Sequence, residues 1–419
     1  MPVQHVPGRE AALKQLATFL PNAGNVYAST RNFDYGPDDR NNVSILSPYL
    51  RHRLLLEWEV LEAVLAEHTF DAAEKFIQEL FWRAYFKGWL ERRPQIWNAY
   101  RQGLTTRLDK LEHDADLRVA YDRAIRGNTG IDCFDAWAEE LLETGYLHNH
   151  ARMWFASIWV FTLELPWELG ADFFYRHLMD GDPASNTLSW RWVCGLHTRG
   201  KTYLARVSNI TSYTNNRFNP GRRLATSAPP LREHLDVAPR DLPEAGQAPS
   251  SHAYGLLITE EDCMPETLGL NYAPQAVLGV TMTGRRSPLP IGLPARAFAL
   301  GAVADAIERV GRQFDVVAEQ AEAGDLGAEL VAWAHTHGFD CIVTAYPATG
   351  PVADSIAGAK PALDEAGIRL VKLRRAYDEL TWRHTDRGYF RLKSRIPDIL
   401  SAHGLSATSE PLKDSACAG

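Results

Sequence analysis

The sequence changes character near its middle, and this change constrains the fold more than any other feature. Ten of the twelve tryptophans lie between Trp58 and Trp192. In that half, apolar residues recur every three or four positions, which is the period of a helix that buries one face. The pattern predicts helices over residues 57–68, 72–90, 136–144 and 150–165. The first half is therefore predicted to be helical throughout.

A stretch rich in proline, alanine and polar residues follows at 219–252, which is typical of a linker. Beyond it, short apolar runs alternate with helical patterns, and this alternation indicates a parallel α/β sheet. The predicted strands are 255–259, 276–281, 315–318, 341–345 and 368–372, and the predicted helices are 295–311, 326–338 and 355–366. We therefore expect a helical domain at 1–218, an α/β domain at 253–402 and a flexible tail at 403–419.

The composition is that of an ordinary globular protein, with 45% hydrophobic residues and a net charge of -8. That charge argues against nonspecific coating of nucleic acid, but it leaves room for a local basic groove. The sequence shows no membrane-spanning run and no secretory signal pattern, so a cytoplasmic location is expected. The five cysteines are scattered without metal-ligand spacing, and no metal site is predicted.

Two predicted helices each place chemically mixed side chains on one face. Glu79, Trp82 and Arg83 stand three and four residues apart, so an acid, an aromatic ring and a cation share a face. Asn149 and Arg152 follow the same spacing on the second helix, with Met153 beside them. For the first set, a surface ion pair beside a core tryptophan is the ordinary alternative. For the second, it is a helix that is capped by Asn149 and pairs Arg152 with a nearby acid.

A third set lies in the segment LMDGDPASNTLSWRW, which carries Asp180, Asp182, Asn186, Trp190 and Trp192. The two acids around a glycine resemble part of a calcium loop, but the later glutamate of that motif is missing. Core packing is the alternative for either tryptophan taken alone.

Taken in order, these segments resemble the FAD-binding domain of the photolyase/cryptochrome family. The likeness runs from about residue 7 to residue 218 and includes SILSPYLRHR, QELFWRAYF, NTGIDCFDAW, GYLHNHARMW and DGDPASNTLSWRW. It implies a multi-domain protein with a helical FAD-binding domain followed by a Rossmann-like α/β domain. That order is the reverse of the family's usual one.

The resemblance also implies FAD as cofactor and assigns its contacts. The phosphates and ribityl chain would meet Tyr27, Ser44, Leu46 and Ser47, and the ring and adenine would meet Arg83, Asn149, Arg152, Asp180, Asp182 and Asn186. Arg152 and Asp180 would form an ion pair near the flavin. Asn186 would face the reactive ring nitrogen, and positive charge from Arg152 would favour a reduced, anionic flavin.

In the DNA-repair members of the family, the matching positions contact a pyrimidine dimer flipped out of the duplex. Here those positions are Glu79, Trp82, Asn149, Met153 and Trp192. The implied activity is a blue-light-driven photolyase that splits cyclobutane pyrimidine dimers in DNA. A cryptochrome-like photoreceptor read by a signalling protein is the alternative, and a flavin-binding scaffold or dark redox protein is a third.

Trp190 and Trp167 match the inner members of the family's electron-transfer chain, whereas the outermost tryptophan is missing and Tyr121 is the nearest aromatic residue. The α/β domain resembles the family's antenna domain, which implies a possible folate or deazaflavin pigment. A generic nucleotide-binding domain is the alternative for this part. Departures from the family pattern include Val43 for a threonine and Leu188 with Ser189 for a pair of glycines.

Overall fold

The computed structural model describes residues 5–322 and 324–405. Its first part is helical, as the sequence pattern predicts. The helices of this part are α1 (Arg9–Phe19), α2 (Asn25–Thr30), α3 (Ser47–Arg51), α4 (Glu57–Glu67), α5 (Phe70–Glu91), α6 (Pro94–His113), α7 (Ala115–Ile125), α8 (Asp132–Thr144), α9 (Asn149–Ser157), α10 (Trp167–His177), α11 (Pro183–Val193) and α12 (Val207–Tyr213).

The predicted helix at 150–165 is in fact divided. Helix α9 ends at Ser157, and a π-helical turn, Ile158–Thr162, continues it. Such turns insert one extra residue per turn and so rotate the side chains that follow, and they are frequent at functional sites. In this chain the turn carries the buried Trp159.

The second part contains one five-stranded sheet. Its strands are β1 (Gly255–Thr259), β2 (Ala276–Thr281), β3 (Ala318–Glu322), β4 (Cys341–Ala345) and β5 (Arg369–Leu373). All neighbours are parallel, in the order β3-β2-β1-β4-β5. The prediction of a parallel α/β sheet after the helical part is therefore confirmed.

The strand predicted at 315–318 is wrong by three residues, because β3 begins at Ala318. The apolar run was the expected signal for a buried strand, but β3 is an edge strand whose side chains are largely exposed. An edge strand that faces water does not need an apolar sequence, so its pattern is weak.

The remaining helices are α13 (Leu293–Phe314), α14 (Leu326–His337), α15 (Pro351–Glu365), α16 (Ala376–Trp382), α17 (Tyr389–Lys393) and α18 (Ile396–Ala402). Successive residues of β1 point to opposite faces of the sheet. Leu256 and Ile258 share a core with α13 and with the first helices of the chain, whereas Leu257 shares a core with α14 and α15. The sheet is thus covered on both faces, as parallel sheets usually are.

The segment 51–53 joins the two parts of the molecule through buried charges. Arg51 Nη2 donates to Glu261 Oε1 at 2.5 Å, and Arg53 Nη2 donates to Asp378 at 2.6 Å. His52 contacts the carbonyl of Glu260 through Nδ1 at 2.7 Å. The three acids come from the α/β part, and all these side chains are buried. Removing one partner of a buried pair typically costs about 3–5 kcal/mol, so this junction fixes how the two parts meet.

None of the helices in the described part of the chain combines the length and apolarity that a bilayer span requires.

Candidate functional site

The segment between α10 and α11 carries the predicted flavin-side acids. Asp182 is the N-cap of α11, and its Oδ1 accepts a hydrogen bond from the amide of Ser185 at 2.7 Å. Pro183 occupies the first helical position, where its fixed φ and missing N–H suit a helix start. One turn on, Asn186 Nδ2 donates to the carbonyl of Ala171 in α10 at 2.8 Å. The cap and the amide bond hold this corner in place.

Three cations surround Asp182. Lys87 Nζ lies 3.6 Å and Arg51 Nε 4.0 Å from Asp182 Oδ2, and Arg83 adds positive charge nearby. Burial alone would raise the pKa of Asp182, but these three cations lower it below its ordinary value. The carboxylate is therefore ionised. Among the described residues, no hydrogen-bond donor meets Oδ2, although this atom is buried.

Asp180 forms the second half of this acidic corner. Arg152 Nη2 donates to Asp180 Oδ2 at 2.8 Å, so the two side chains make the ion pair that the resemblance implies. Burial opposes ionisation, but Arg152 holds the pKa of Asp180 below its ordinary value. Its other oxygen, Oδ1, is buried without a hydrogen bond of normal geometry in the described part of the chain, and the Ser47 side chain beside Asp180 also lowers the pKa of this carboxyl.

Several buried polar atoms of the described helical part lack a hydrogen bond that a polar heterocycle could supply. Besides the two carboxylate oxygens, Arg83 Nε and the indole Nε1 of Trp190 are buried without a partner in the described part of the chain. Buried polar atoms are nearly always paired in native proteins, so each unpaired one calls for an explanation. A flavin ring carries both donors and acceptors. The residues present therefore fit the FAD that the sequence predicts.

The predicted phosphate loop shows strained backbone. Ile45 has φ of 52°, a left-handed conformation that is rare for a β-branched residue. Ser44 supports the bend, because its Oγ accepts from the amide of Leu46 at 3.3 Å and its carbonyl accepts from Gln15 at 2.9 Å. Ser47 then begins α3. Strain of this kind is concentrated at ligand loops, which is consistent with the predicted role.

Tyr27 and Glu79 meet through a residue that the sequence analysis did not single out. Arg31, at the end of α2, forms an ion pair with Glu79 and lies over the ring of Tyr27. Burial raises the pKa of Glu79, and the neighbouring Arg31 only partly opposes this. Arg31 is four residues from Tyr27, so the helical spacing was a signal that could have pointed to it.

Trp82 has an unexpected neighbour. Tyr389 of α17 stacks on its indole, with ring centroids 3.6 Å apart and planes inclined by 11°. The Tyr389 hydroxyl also donates to the carbonyl of Gln78 at 3.1 Å. One face of Trp82, which the resemblance assigns to a flipped base, is thus covered by the α/β part of the same chain. Tyr389 lies 307 residues downstream, and no local pattern linked the two.

The other predicted lesion contacts lie at the surface of the helical part. Asn149 is the exposed first residue of α9, and Met153 follows one turn later, half-buried. Trp192 keeps 37% of its surface exposed and stacks against Tyr203 at 5.7 Å. These side chains could meet a ligand without rearrangement of the core.

The two electron-transfer tryptophans are buried among other rings. Trp190 lies 6.3 Å from Trp159 and packs against Gly170, and Trp159 lies 6.1 Å from Tyr121. Trp167 lies 5.7 Å from Tyr100. Each predicted tryptophan thus has an aromatic neighbour that could continue a path away from the flavin.

An open groove of 780 Å³ lies along α12. Its lining consists of Val207, Ser208, Thr211, Ser212, Asn216 and Asn219, which are not among the predicted site residues.

Comparison with known proteins agrees with this geometry. Residues 76–225 match the family model described as the FAD binding domain of DNA photolyase. This range contains the acidic corner together with Glu79 and Trp82, whereas Tyr27 and the loop 44–47 precede it. The match identifies a photolyase-type FAD-binding domain over residues 76–225.

The chain is also similar to individual members. It is 34% identical over 242 residues to a deoxyribodipyrimidine photo-lyase of Thermus thermophilus, covering 56% of this chain and 53% of that protein. It is 30% identical over 235 residues to the deoxyribodipyrimidine photo-lyase of Alkalihalophilus pseudofirmus, covering 55% and 46%. A solved bacterial class III photolyase from Agrobacterium tumefaciens is 25% identical, with a TM-score of 0.40 and coverage of 50% and 43%.

The chain is therefore similar to photolyases and carries a match to their FAD-binding domain at residues 76–225. It spans about half the length of the curated relatives it matches.

Proposed function

We propose that this protein is an FAD-dependent, blue-light-driven photolyase that splits cyclobutane pyrimidine dimers in DNA. The acidic corner is the observation that carries the proposal, because each of its two ionised carboxylates has one buried oxygen without a hydrogen bond in the described part of the chain, beside a fixed amide, Asn186. FAD, when bound and reduced, supplies the electron that opens the cyclobutane ring, and the electron then returns, so no net oxidation occurs.

On the flavin side, the residues bind and orient. Asp182 would hold FAD by accepting a hydrogen bond from its ring, and Arg152 would bring positive charge that favours the anionic reduced form. Asn186 presents a neutral amide to the reactive nitrogen. Ser44, Leu46 and Ser47 would receive the phosphates, where small hydroxyls and backbone amides suit an anion.

On the lesion side, Glu79 and Trp82 meet the flipped dimer, together with Asn149, Met153 and Trp192. The raised pKa of Glu79 favours the protonated carboxyl, which can donate a hydrogen bond to a base carbonyl. This role requires Glu79 to leave Arg31. The role of Trp82 requires a face that is free of Tyr389, since both rings cannot stack on the same surface.

Photoreduction would draw on Trp190 and Trp167. Their aromatic neighbours Trp159 and Tyr100 offer onward steps in place of the missing outer tryptophan. Trp190→Phe should slow photoreduction of the bound flavin strongly, whereas a dark redox enzyme would not be affected by this change.

The deciding experiment measures release of free thymines from a dimer-containing oligonucleotide under blue light, with reductant, against a dark control. Light-dependent release is the expected result. Glu79→Ala should lower the repair yield without releasing FAD, and Asp182→Ala should release FAD. An Asp182→Ala protein that keeps a full flavin spectrum would contradict the proposal that the acidic corner binds FAD.

The stack of Tyr389 on Trp82 favours a second candidate, a cryptochrome-like photoreceptor that signals to a partner protein. In that case the flavin photoreduces, yet dimer-containing DNA binds no better than undamaged DNA. A folate or deazaflavin antenna remains a prediction for the α/β part, as do the domain boundaries at 218 and 253.

A further inference from the structure

One stretch of the chain has no acidic residue over fifty positions. Between residues 183 and 232 there are eight arginines and lysines and no aspartate or glutamate, although the whole chain has a net charge of -8. His197 stands in this stretch, in the turn that follows α11. Three of these cations are paired with acids outside the stretch, namely Arg191 with Glu233, Arg199 with Asp236 and Arg217 with Asp34, so the local excess of positive charge comes from the other five.

A second basic segment comes from the α/β part. Residues 383–395 contain five arginines and lysines and one aspartate, Asp386. Burial, and after it Arg383, Arg395 and Arg391, lower the pKa of His384, so these arginines share one region of space. In their midst, Phe390 leaves 81% of its surface exposed. An exposed aromatic ring beside arginine side chains offers a face on which an unpaired base can stack.

An aromatic row on α5 connects the two basic segments. Trp82, Tyr85 and Trp89 recur at helical spacing and share one side of α5. At one end, Tyr389 stacks on Trp82 at 3.6 Å, which fixes the position of Phe390 beside it. At the other end, Trp89 lies 4.8 Å from the ring of His197.

We propose that this surface binds a single strand of nucleic acid, with Arg383 and Arg387 of the α/β part contacting phosphates and Phe390 stacking on an unpaired base. The proposal rests on the proposed function for its choice of polymer. It assigns to the α/β part a direct role in substrate binding and adds residues to those that the family pattern supplied.

The chemistry of the surface fits this ligand. Phosphates meet arginine side chains, and base faces stack on aromatic rings, which together are the two elements of single-strand recognition. Arg383 and Arg387 are exposed, and in the described part of the chain neither is paired with an acid. They are therefore available for phosphates, whereas the other three cations of the segment are paired with acids: Arg391 with Asp386, Lys393 with Glu74 and Arg395 with Asp398.

The test measures affinity of the full-length protein for a labelled, undamaged single-stranded oligonucleotide in the dark, by fluorescence anisotropy at several salt concentrations. Phe390→Ala should weaken binding by about five- to tenfold, which is the lower range for loss of one base–aromatic stack. The double variant R383Q/R387Q should weaken binding and reduce the salt slope by about 1.4, since each single-strand phosphate contact contributes about 0.7.

Two control variants keep the result specific. Leu293, on α13, is 80% exposed, so Leu293→Ala removes an equally exposed apolar side chain elsewhere. Arg312, on α13, is 72% exposed, and Arg312→Gln removes one positive charge outside the proposed binding surface. Both should bind the oligonucleotide like the wild type. Equal weakening in the controls, unchanged binding by Phe390→Ala, or binding to anionic lipid vesicles in preference to the oligonucleotide would each overturn the proposal.

The outcome is separable from that of the proposed function. If the wild type splits dimers in light but the Phe390 and arginine variants bind the oligonucleotide normally, the proposed binding surface is rejected and the proposed photolyase activity stands. If the variants bind more weakly in the dark and the wild type splits no dimers, the proposed binding surface stands and the proposed photolyase activity is rejected.

Discussion

The two walls of the candidate site are built in different ways. On the flavin side, Asp180 and Asp182 lie in a buried corner held by arginines, with oxygens still unpartnered within the described structure. On the lesion side, Glu79 is engaged by Arg31, and Trp82 is covered by Tyr389. The first wall is arranged to receive a ligand, whereas the second is already occupied by the chain itself.

The α/β part supports both walls, but through different forces. Beside the acidic corner, its Glu261 accepts a hydrogen bond from Arg51, and its Arg286 donates to the carbonyl of Leu178 at 3.2 Å. On the lesion side it supplies an aromatic stack. A buried charge network is rigid because each partner depends on the others, whereas a stacked ring at an edge can be displaced by another ring. The comparison therefore indicates a fixed cofactor wall and an adjustable substrate wall.

The most damaging change should be Arg51→Ala at the fixed wall. Arg51 donates to Glu261 at 2.5 Å and to the carbonyl of Gly181 at 2.8 Å, and it is 1% exposed. Its loss removes the guanidinium from two buried carboxylates, leaving Lys87 at 3.9 Å from Glu261 and 3.6 Å from Asp182, so the free energy of unfolding should fall by about 3–5 kcal/mol. Urea denaturation measures this, with Arg312→Ala as a control for an exposed ion pair. A loss below about 1 kcal/mol would show that the wall is not held by this network.

The next effect should come from Gly170→Ala, at the tryptophan end of the same wall. A Cβ at this position would lie 2.4 Å from the ring of Trp190 and 2.9 Å from that of Trp159. Since both rings are buried, the overpacking should lower the free energy of unfolding by about 1–3 kcal/mol.

Gly358 provides the matched control, because it lies in α15 with open space where a Cβ would be. There the same substitution should stabilise the protein by up to about 1 kcal/mol through helix propensity. If Gly170→Ala behaved like Gly358→Ala, the tryptophan packing would be looser than the distances indicate.

The two walls should also respond to pH with opposite signs. The pKa of Asp182 is lowered from 3.8, so its charged form stabilises the fold. The advantage of the wild type over Asp182→Asn should therefore be full at neutral pH and should shrink as pH falls through 3.8. The pKa of Glu79 is raised from 4.5, so the fold prefers the protonated form. Relative to Glu79→Gln, the wild type should lose stability as pH rises above 4.5.

Urea midpoints of the three proteins between about pH 2.5 and 7 test this contrast, because this range extends below the ordinary pKa of an aspartate and above that of a glutamate. Parallel curves for the two variants would mean that the walls do not differ in charge preference.

The fixed wall was largely predictable from sequence, and the adjustable one was not. The segment LMDGDPASN contains both acids, the N-cap and the amide within a few residues, so its geometry follows from local rules. The strands β1, β2 and β4 were placed correctly because buried parallel strands read as apolar runs. The exposed edge strand β3 lacked that signal and was misplaced.

The missing pieces are contacts between distant residues. Tyr389 meets Trp82, and Glu261 meets Arg51, only after the α/β part docks on the helices. Neither residue has a local pattern that reveals its partner. Arg31 is the exception among the missed residues, because its helical spacing from Tyr27 was readable.

The smallest effect should be that of Tyr389→Phe, which separates the two ways in which the lesion wall is covered. The substitution keeps the ring that stacks on Trp82 at 3.6 Å and removes only the hydroxyl that donates to Gln78 at 3.1 Å. One such hydrogen bond contributes about 0.5–1.5 kcal/mol, so the free energy of unfolding should fall by that amount. Quenching of tryptophan fluorescence by acrylamide should stay unchanged, because Trp82 remains covered. Increased quenching with Tyr389→Phe would mean that the hydroxyl, and not the stack, holds the cover in place, and the adjustable wall would then be opened by breaking a single hydrogen bond.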